Sequence, residues 1–190
     1  MLEFLKIVLL GVLAAVVYGV LHDQVTARVC VEYFTVGHPR VIASESPTLL
    51  ALVWGTLATW WFGLILGLPA AGLARVGGLP KLTARDLVKP VAVVMAVTGI
   101  VALVAGVTGY LLAEVGVIRL SDPFVHFVPA QKHSAFLANG WAHLAAYGTG
   151  GVGALVVWGW VLRRRYRVWR RGVEKGRPDR EGRDAHVAVR

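Results

Sequence analysis

The sequence predicts an all-α membrane protein: a four-helix transmembrane bundle, both termini cytoplasmic, with a short extended segment on the outer side after the first helix. Three observations predict it. Apolar residues make up 56% of the 190 residues and charged residues only 16%, too little charge to cover a soluble domain of that length. The apolar residues gather into four runs, Phe4–Leu21, Leu49–Ala74, Val91–Ala113 and Ala135–Leu162. A hydrocarbon core of roughly 30 Å takes about 20 helical residues to cross, and backbone groups in lipid must be satisfied within the segment. Third, of the 20 Lys and Arg, sixteen fall on the side shared by the N-terminus, the second loop and the tail, and four on the other. The cation-rich side is the cytoplasmic one. These counts predict a multi-pass protein of the bacterial inner membrane.

The first run reads as a retained span rather than a cleaved leader. Glu3 offsets Lys6 ahead of it, and Val17-Tyr18-Gly19 is a poor cleavage site. Its helix is expected to reach Arg28. Beyond that, "VCVEYFTV" alternates and is rich in β-formers, so a strand or extended segment competes with helix until Gly37-His38-Pro39 breaks it. Ser46 and Pro47 form a strong helix start for the second span, expected to run to Ala74 with a bend near Pro69. Thr83 and Asp86 read as a capping box, with Leu82 and Leu87 as its hydrophobic staple. A short interfacial helix is expected there, re-aimed at Pro90 into the third span. Asp122-Pro123 marks one more short helix, and the fourth span begins between Pro129 and Ala135. Residues 1–171 form the membrane domain, and 172–190 are expected to be a disordered basic cytoplasmic tail.

Small residues recur every fourth position in the spans: Gly55, Thr59, Gly63, Gly67 and Ala71 in the second, and Ala138, Ala142, Ala146, Gly150 and Ala154 in the fourth. Gly11, Ala15 and Gly19 repeat the pattern in the first, as do Ala105, Gly109 and Ala113 in the third. Close backbone approach through such residues drives helix association in lipid. The ladders serve the bundle itself, a homodimer or a membrane-protein partner. Most of the seven Trp sit near span ends, as interface anchors do. The net charge of +9 is the positive-inside bias plus the basic tail "RRRYRVWRRG", suited to anionic lipid headgroups; it is not a nucleic-acid signal. The single cysteine, Cys30, reads as a free thiol or a small buried residue.

Ligand-type side chains crowd the outer side. Tyr18, His22 and Thr26 lie four apart on the first helix, Tyr110 and Glu114 on the third, and Asn139, His143 and Tyr147 on the fourth. Each set forms one stripe, and ionisable groups inside a span face the bundle interior. The stripes are therefore expected to converge on one polar patch open to the outside. For a metal the best ligands are His22, Asp23, Glu114 and His143. Two facing His suit a haem, and the same groups suit a proton or solute path. The competing reading is that they hydrogen-bond one another and fix helix register. Arg28 and Glu32 form either an i,i+4 pair or one end of the patch. His38, His126 and His133 read as loop residues, of which His38 is counted with the polar patch. There is no HExxH, CxxC or GxSxG.

The segments "YGVLHDQVTARVCVEYFTVGHP", "SPTLLALVWGTLATWWFGLILGLP" and "ANGWAHLAAYGTG" together resemble a group of small uncharacterised bacterial integral membrane proteins of four spans. The resemblance covers Tyr18 to Trp158. It implies fold and location and transfers no mechanism. The expected function is a non-enzymatic structural or accessory membrane protein with an outward-facing His/Asp/Glu cluster. A metal- or haem-binding redox or transport component is the alternative, and a membrane-embedded hydrolase comes third.

Overall fold

A computed structural model describes residues 1–175. The order is α1 (Leu2–Val29), α2 (Glu32–Thr35), α3 (Pro47–Leu57), α4 (Trp60–Arg75), α5 (Ala84–Glu114), α6 (Phe124–Phe127), a 3-10 turn (Ala130–Lys132) and α7 (His133–Lys175). Among the described residues the fold is all-helical, without strands, and four helical segments are long and apolar enough to cross a membrane, α3 and α4 together making the second. They pack in the cyclic order α1, α3–α4, α7, α5, around a central axis.

The small-residue ladders are contact surfaces. A β-carbon added at Gly55 would stand 2.6 Å from the Val20 backbone, and one at Gly63 2.6 Å from the Gly11 carbonyl. A β-carbon at Gly109 would stand 2.8 Å from the Trp141 ring. Ala138, Ala142, Ala146 and Ala154 of α7 are buried. Only hydrogen fits where backbones approach this closely.

Four local expectations change. The segment after α1 is not extended: Cys30 alone has extended backbone, and a helical turn follows, closed by Thr35 N–H to Val31 O at 3.1 Å and Val36 N–H to Glu32 O at 2.8 Å. A lone strand in a helical protein has no ladder partner, and the turn satisfies its own backbone. The second span is interrupted at Ala58–Thr59, and Pro69, the expected place of a bend, lies inside the continuous helix α4. No separate interfacial helix precedes the third span. The Thr83–Asp86 capping box forms, Leu82 and Leu87 are buried together, and α5 continues as one helix through Pro90. Finally, α7 continues to Lys175, so 172–175 are helical, while 176–190 of the expected tail lie outside the described residues.

The basic segment is also not uniformly a headgroup surface. Arg165 is 2% exposed, and its guanidinium donates to the carbonyls of Leu73, Val76, Leu79 and Pro80, closing the α4–α5 turn onto α7. Arg164 pairs with Asp86 at 3.1 Å and Arg170 with Glu174 at 2.8 Å.

Candidate functional site

The C-terminal third of α1 and the N-terminal third of α7 meet at Asn139. Its side chain is 2% exposed and donates to Thr26 O at 2.8 Å and Cys30 O at 3.2 Å. Two carbonyl acceptors require the amide nitrogen on that side, so the contacts themselves fix its orientation. Each carbonyl also accepts a backbone N–H, Thr26 O from Cys30 at 3.0 Å and Cys30 O from Tyr33 at 3.3 Å, so the amide supplies a second donor to both. The Asn139 bonds set the rotation of α1 against α7, and that rotation turns Asp23 toward His143.

His143 is held at both ring nitrogens. Nδ1 stands 2.8 Å from the Asn139 carbonyl oxygen, which can only accept, so a hydrogen bond there places the ring N–H on Nδ1. Nε2 stands 3.1 Å from Asp23 Oδ1. In a neutral ring, two lone pairs then face each other. A positive centre, a proton or a metal ion, has to sit between them. The His22 ring packs edge-on against His143 with centroids 4.5 Å apart, and its Nε2 is buried with no hydrogen-bond partner among the described residues. Ligand atoms of His22, Asp23 and His143 all lie within 4.8 Å of one another. A tetrahedral ion with ligands at about 2.0–2.1 Å holds them roughly 3.3 Å apart, so small side-chain rotations close the set. Nδ1–H bound to a backbone carbonyl is also how ligating histidines are commonly oriented.

Of the other expected residues, some converge and some do not. Tyr18 stacks on His22 at 5.7 Å, Thr26 hydroxyl donates to the His22 carbonyl at 3.3 Å, and Tyr147 hydroxyl donates to the Ala58 carbonyl at 2.9 Å. His38 is half-buried, its Nδ1 2.8 Å from Tyr33 O, between Phe34 and Trp54. Glu114 and Tyr110 stay out: both are exposed. On α5 the face turned to α7 carries Gly109, and at 3.6 residues per turn Tyr110 and Glu114 lie roughly 100° and 140° away from it. Arg28 and Glu32 do not pair. Arg28 binds Gln24 at 2.6 Å and Thr48 Oγ1 at 2.8 Å, while Glu32 accepts from the Cys30 thiol at 3.3 Å. His126 pairs with Asp122 at 2.7 Å on the surface, and His133 binds the Val128 carbonyl. A haem between two histidines does not fit, because the His22 and His143 rings touch and leave no room for a porphyrin plane.

Below the cluster a cavity of about 220 Å³ runs down the bundle axis. One end of it is His22, Asp23, His143, Tyr33 and His38, and the other reaches Ile7, Leu87 and Val157. Burial pushes the Tyr33 hydroxyl up to about 12, with Asp23 adding to it, and holds His38 below its ordinary value. Burial likewise pushes the Cys30 thiol up to about 11, which keeps it a thiol at neutral pH. Sequence reasoning missed Tyr33, Trp54 and Thr98 as lining residues. Thr98 left a faint signal, a hydroxyl with Gly99 in the middle of an apolar run.

No protein-family model, curated protein or solved structure matches this chain.

Proposed function

We propose that this chain is a multi-pass protein of a bacterial inner membrane, both termini cytoplasmic, whose outward-facing end binds one divalent transition-metal ion of the zinc type through His22, Asp23 and His143. The observation that carries the reading is the pairing of acceptors: His143 commits its N–H to Asn139 O, yet its other nitrogen stands 3.1 Å from a carboxylate oxygen. A shared proton would satisfy those two atoms only. A metal ion also satisfies the buried, partnerless Nε2 of His22. Two imidazoles and one carboxylate are ligands suited to zinc, and three protein ligands leave a fourth position open. All three residues line the cavity, so an ion held there would be reached from it, as in sites that exchange or activate a ligand rather than in closed structural sites. The exposed Arg163, Arg167 and Arg171 suit anionic headgroups on the opposite side, at about 1 kcal/mol each near the surface.

A second reading, a structural or accessory protein whose polar cluster locks the bundle, is favoured by the two Asn139 bonds that tie α7 to α1. Elemental analysis of the full chain, purified without chelators and after zinc loading, separates the two. The expected result is about one zinc per chain, lost in His22→Gln, Asp23→Asn and His143→Gln. Substoichiometric metal in the loaded wild type, with the three variants altering only thermal stability, would overturn the metal reading and leave the lock.

A further inference from the structure

The cavity beneath the cluster has features that neither a metal site nor a helix lock requires. Thr98 of α5 is 4% exposed, lines the cavity, and its Oγ1 has no hydrogen-bond partner among the described residues. The hydroxyl of Tyr18, on the facing α1, lines the same cavity and is buried and partnerless too. A buried hydroxyl without a partner loses its hydration for nothing, so each such group points to an acceptor supplied from elsewhere. Away from the His cluster most of the remaining wall is apolar, with Phe62, Met95 and the small faces of Gly63 and Ala146. Along α1 the lining extends from Ile7 to His22, roughly 22 Å at 1.5 Å per residue. That accommodates one lipid chain, since the chains of each leaflet fill about half of a roughly 30 Å core.

We infer that the cavity binds a single-chain membrane amphiphile carrying a carbonyl oxygen, with its chain along the bundle axis and the oxygen accepting hydrogen bonds from Tyr18 and Thr98. Its polar end lies under His22 and His143, and only there does the inference rest on the metal reading. The chemistry is shared by acyl esters and by isoprenoid-type quinones. A carbonyl oxygen offers two lone pairs, enough for both hydroxyls. A plain hydrocarbon chain would fill the same volume and leave both donors unsatisfied.

The test is a fluorescence titration of the full chain held in an amphipathic polymer rather than an alkyl detergent. Trp158 lines the cavity and reports through quenching, with Trp158→Phe as the background. The probes are chain-brominated 1-lauroylglycerol, decylubiquinone, and 1-bromododecane, which carries no oxygen. Saturable quenching by at least one oxygenated probe is expected, about tenfold tighter than bromododecane, with Tyr18→Phe and Thr98→Val each lowering that advantage roughly fivefold. Saturation by the glycerol ester alone assigns an acyl ester, and by the quinone alone a quinone. Both substitutions nearly conserve volume, and unchanged bromododecane quenching shows that the variants keep the cavity. Non-saturable quenching by both oxygenated probes, or unchanged affinity in both variants, would overturn the inference. A His22→Gln/His143→Gln protein that loses zinc yet binds the probe leaves the cavity assignment standing without the metal. Stoichiometric zinc with no probe binding removes the cavity assignment alone.

Discussion

His38 lines the cavity from the loop between α2 and α3, its ring packed on Phe34 and Trp54 and its Nδ1–H donated to the Tyr33 carbonyl. Burial is the largest influence on it and favours the neutral ring; the Tyr33 carbonyl opposes this, His143 adds to it and Asp23 opposes. Its folded pKa is therefore below the ordinary value of about 6.5. Between those two values the unfolded chain binds the extra proton and the folded chain does not. His38 thus contributes its full stability above pH about 6.5 and loses it as pH falls toward the folded pKa. Thermal unfolding in detergent should show a midpoint that drops between pH 7 and pH 5, and His38→Gln should flatten that slope. Identical slopes in both proteins would mean that the ring is protonated in place at no cost. The neighbouring Cys30 thiol, 1% exposed and raised by burial, adds no thiolate to this end of the molecule.

The broken second span shows why part of the fold was legible and part was not. Nothing in "TLATWWF" announces a break: it contains no Pro and no Gly, and Pro69, the visible breaker, sits inside α4. The interruption at Ala58–Thr59 is held by a group 89 residues away, the Tyr147 hydroxyl on the Ala58 carbonyl at 2.9 Å. Non-helical backbone at membrane depth survives only where protein supplies such partners, and a proline inside a span survives for the same reason. Composition, run length and the Ser46, Thr83 and Asp86 start signals are local, so the four spans and their starts could be read directly. The stripes of Tyr18, His22 and Asn139, His143 are local too. Which stripes meet is not, because that depends on how the glycine ladders rotate α5 until Glu114 and Tyr110 point outward. Tyr147→Phe removes the hydroxyl with little change of shape and leaves the Ala58 carbonyl unsatisfied. A loss of about 1–3 kcal/mol is expected by thermal or denaturant unfolding, against a near-neutral Thr56→Val, whose hydroxyl only back-bonds to Leu52 within α3. Equal stability of the Phe variant and the wild type would show that the break needs no tie to α7.

The two ends of the bundle are fastened in different ways. At the end with the His cluster, one neutral amide, Asn139, bridges α7 to α1. At the end with the basic segment, one cation bridges α7 to α4: Arg165, with four carbonyl acceptors and no carboxylate among its hydrogen-bond partners. Two of those carbonyls, Leu73 and Val76, belong to the terminus of α4, where the helix dipole is negative, so the site offers a buried guanidinium a compensating field. The planar fork also explains why Arg stands here. Lysine has three donors on a compact ammonium and cannot span carbonyls contributed by residues 73 to 80. A run of basic residues therefore divides into a structural member and solvent-facing ones, a division that charge counting cannot make. Arg165→Lys should destabilise the protein by roughly 2–4 kcal/mol, since several charge-assisted bonds are lost in a dry site. Arg167→Lys, two residues on and exposed, should stay within about 0.5 kcal/mol of wild type. Thermal unfolding of the two variants side by side decides the matter: equal, small effects would return Arg165 to the headgroup surface, whereas a large effect confined to Arg165 makes it the clamp that holds the α4–α5 turn against α7.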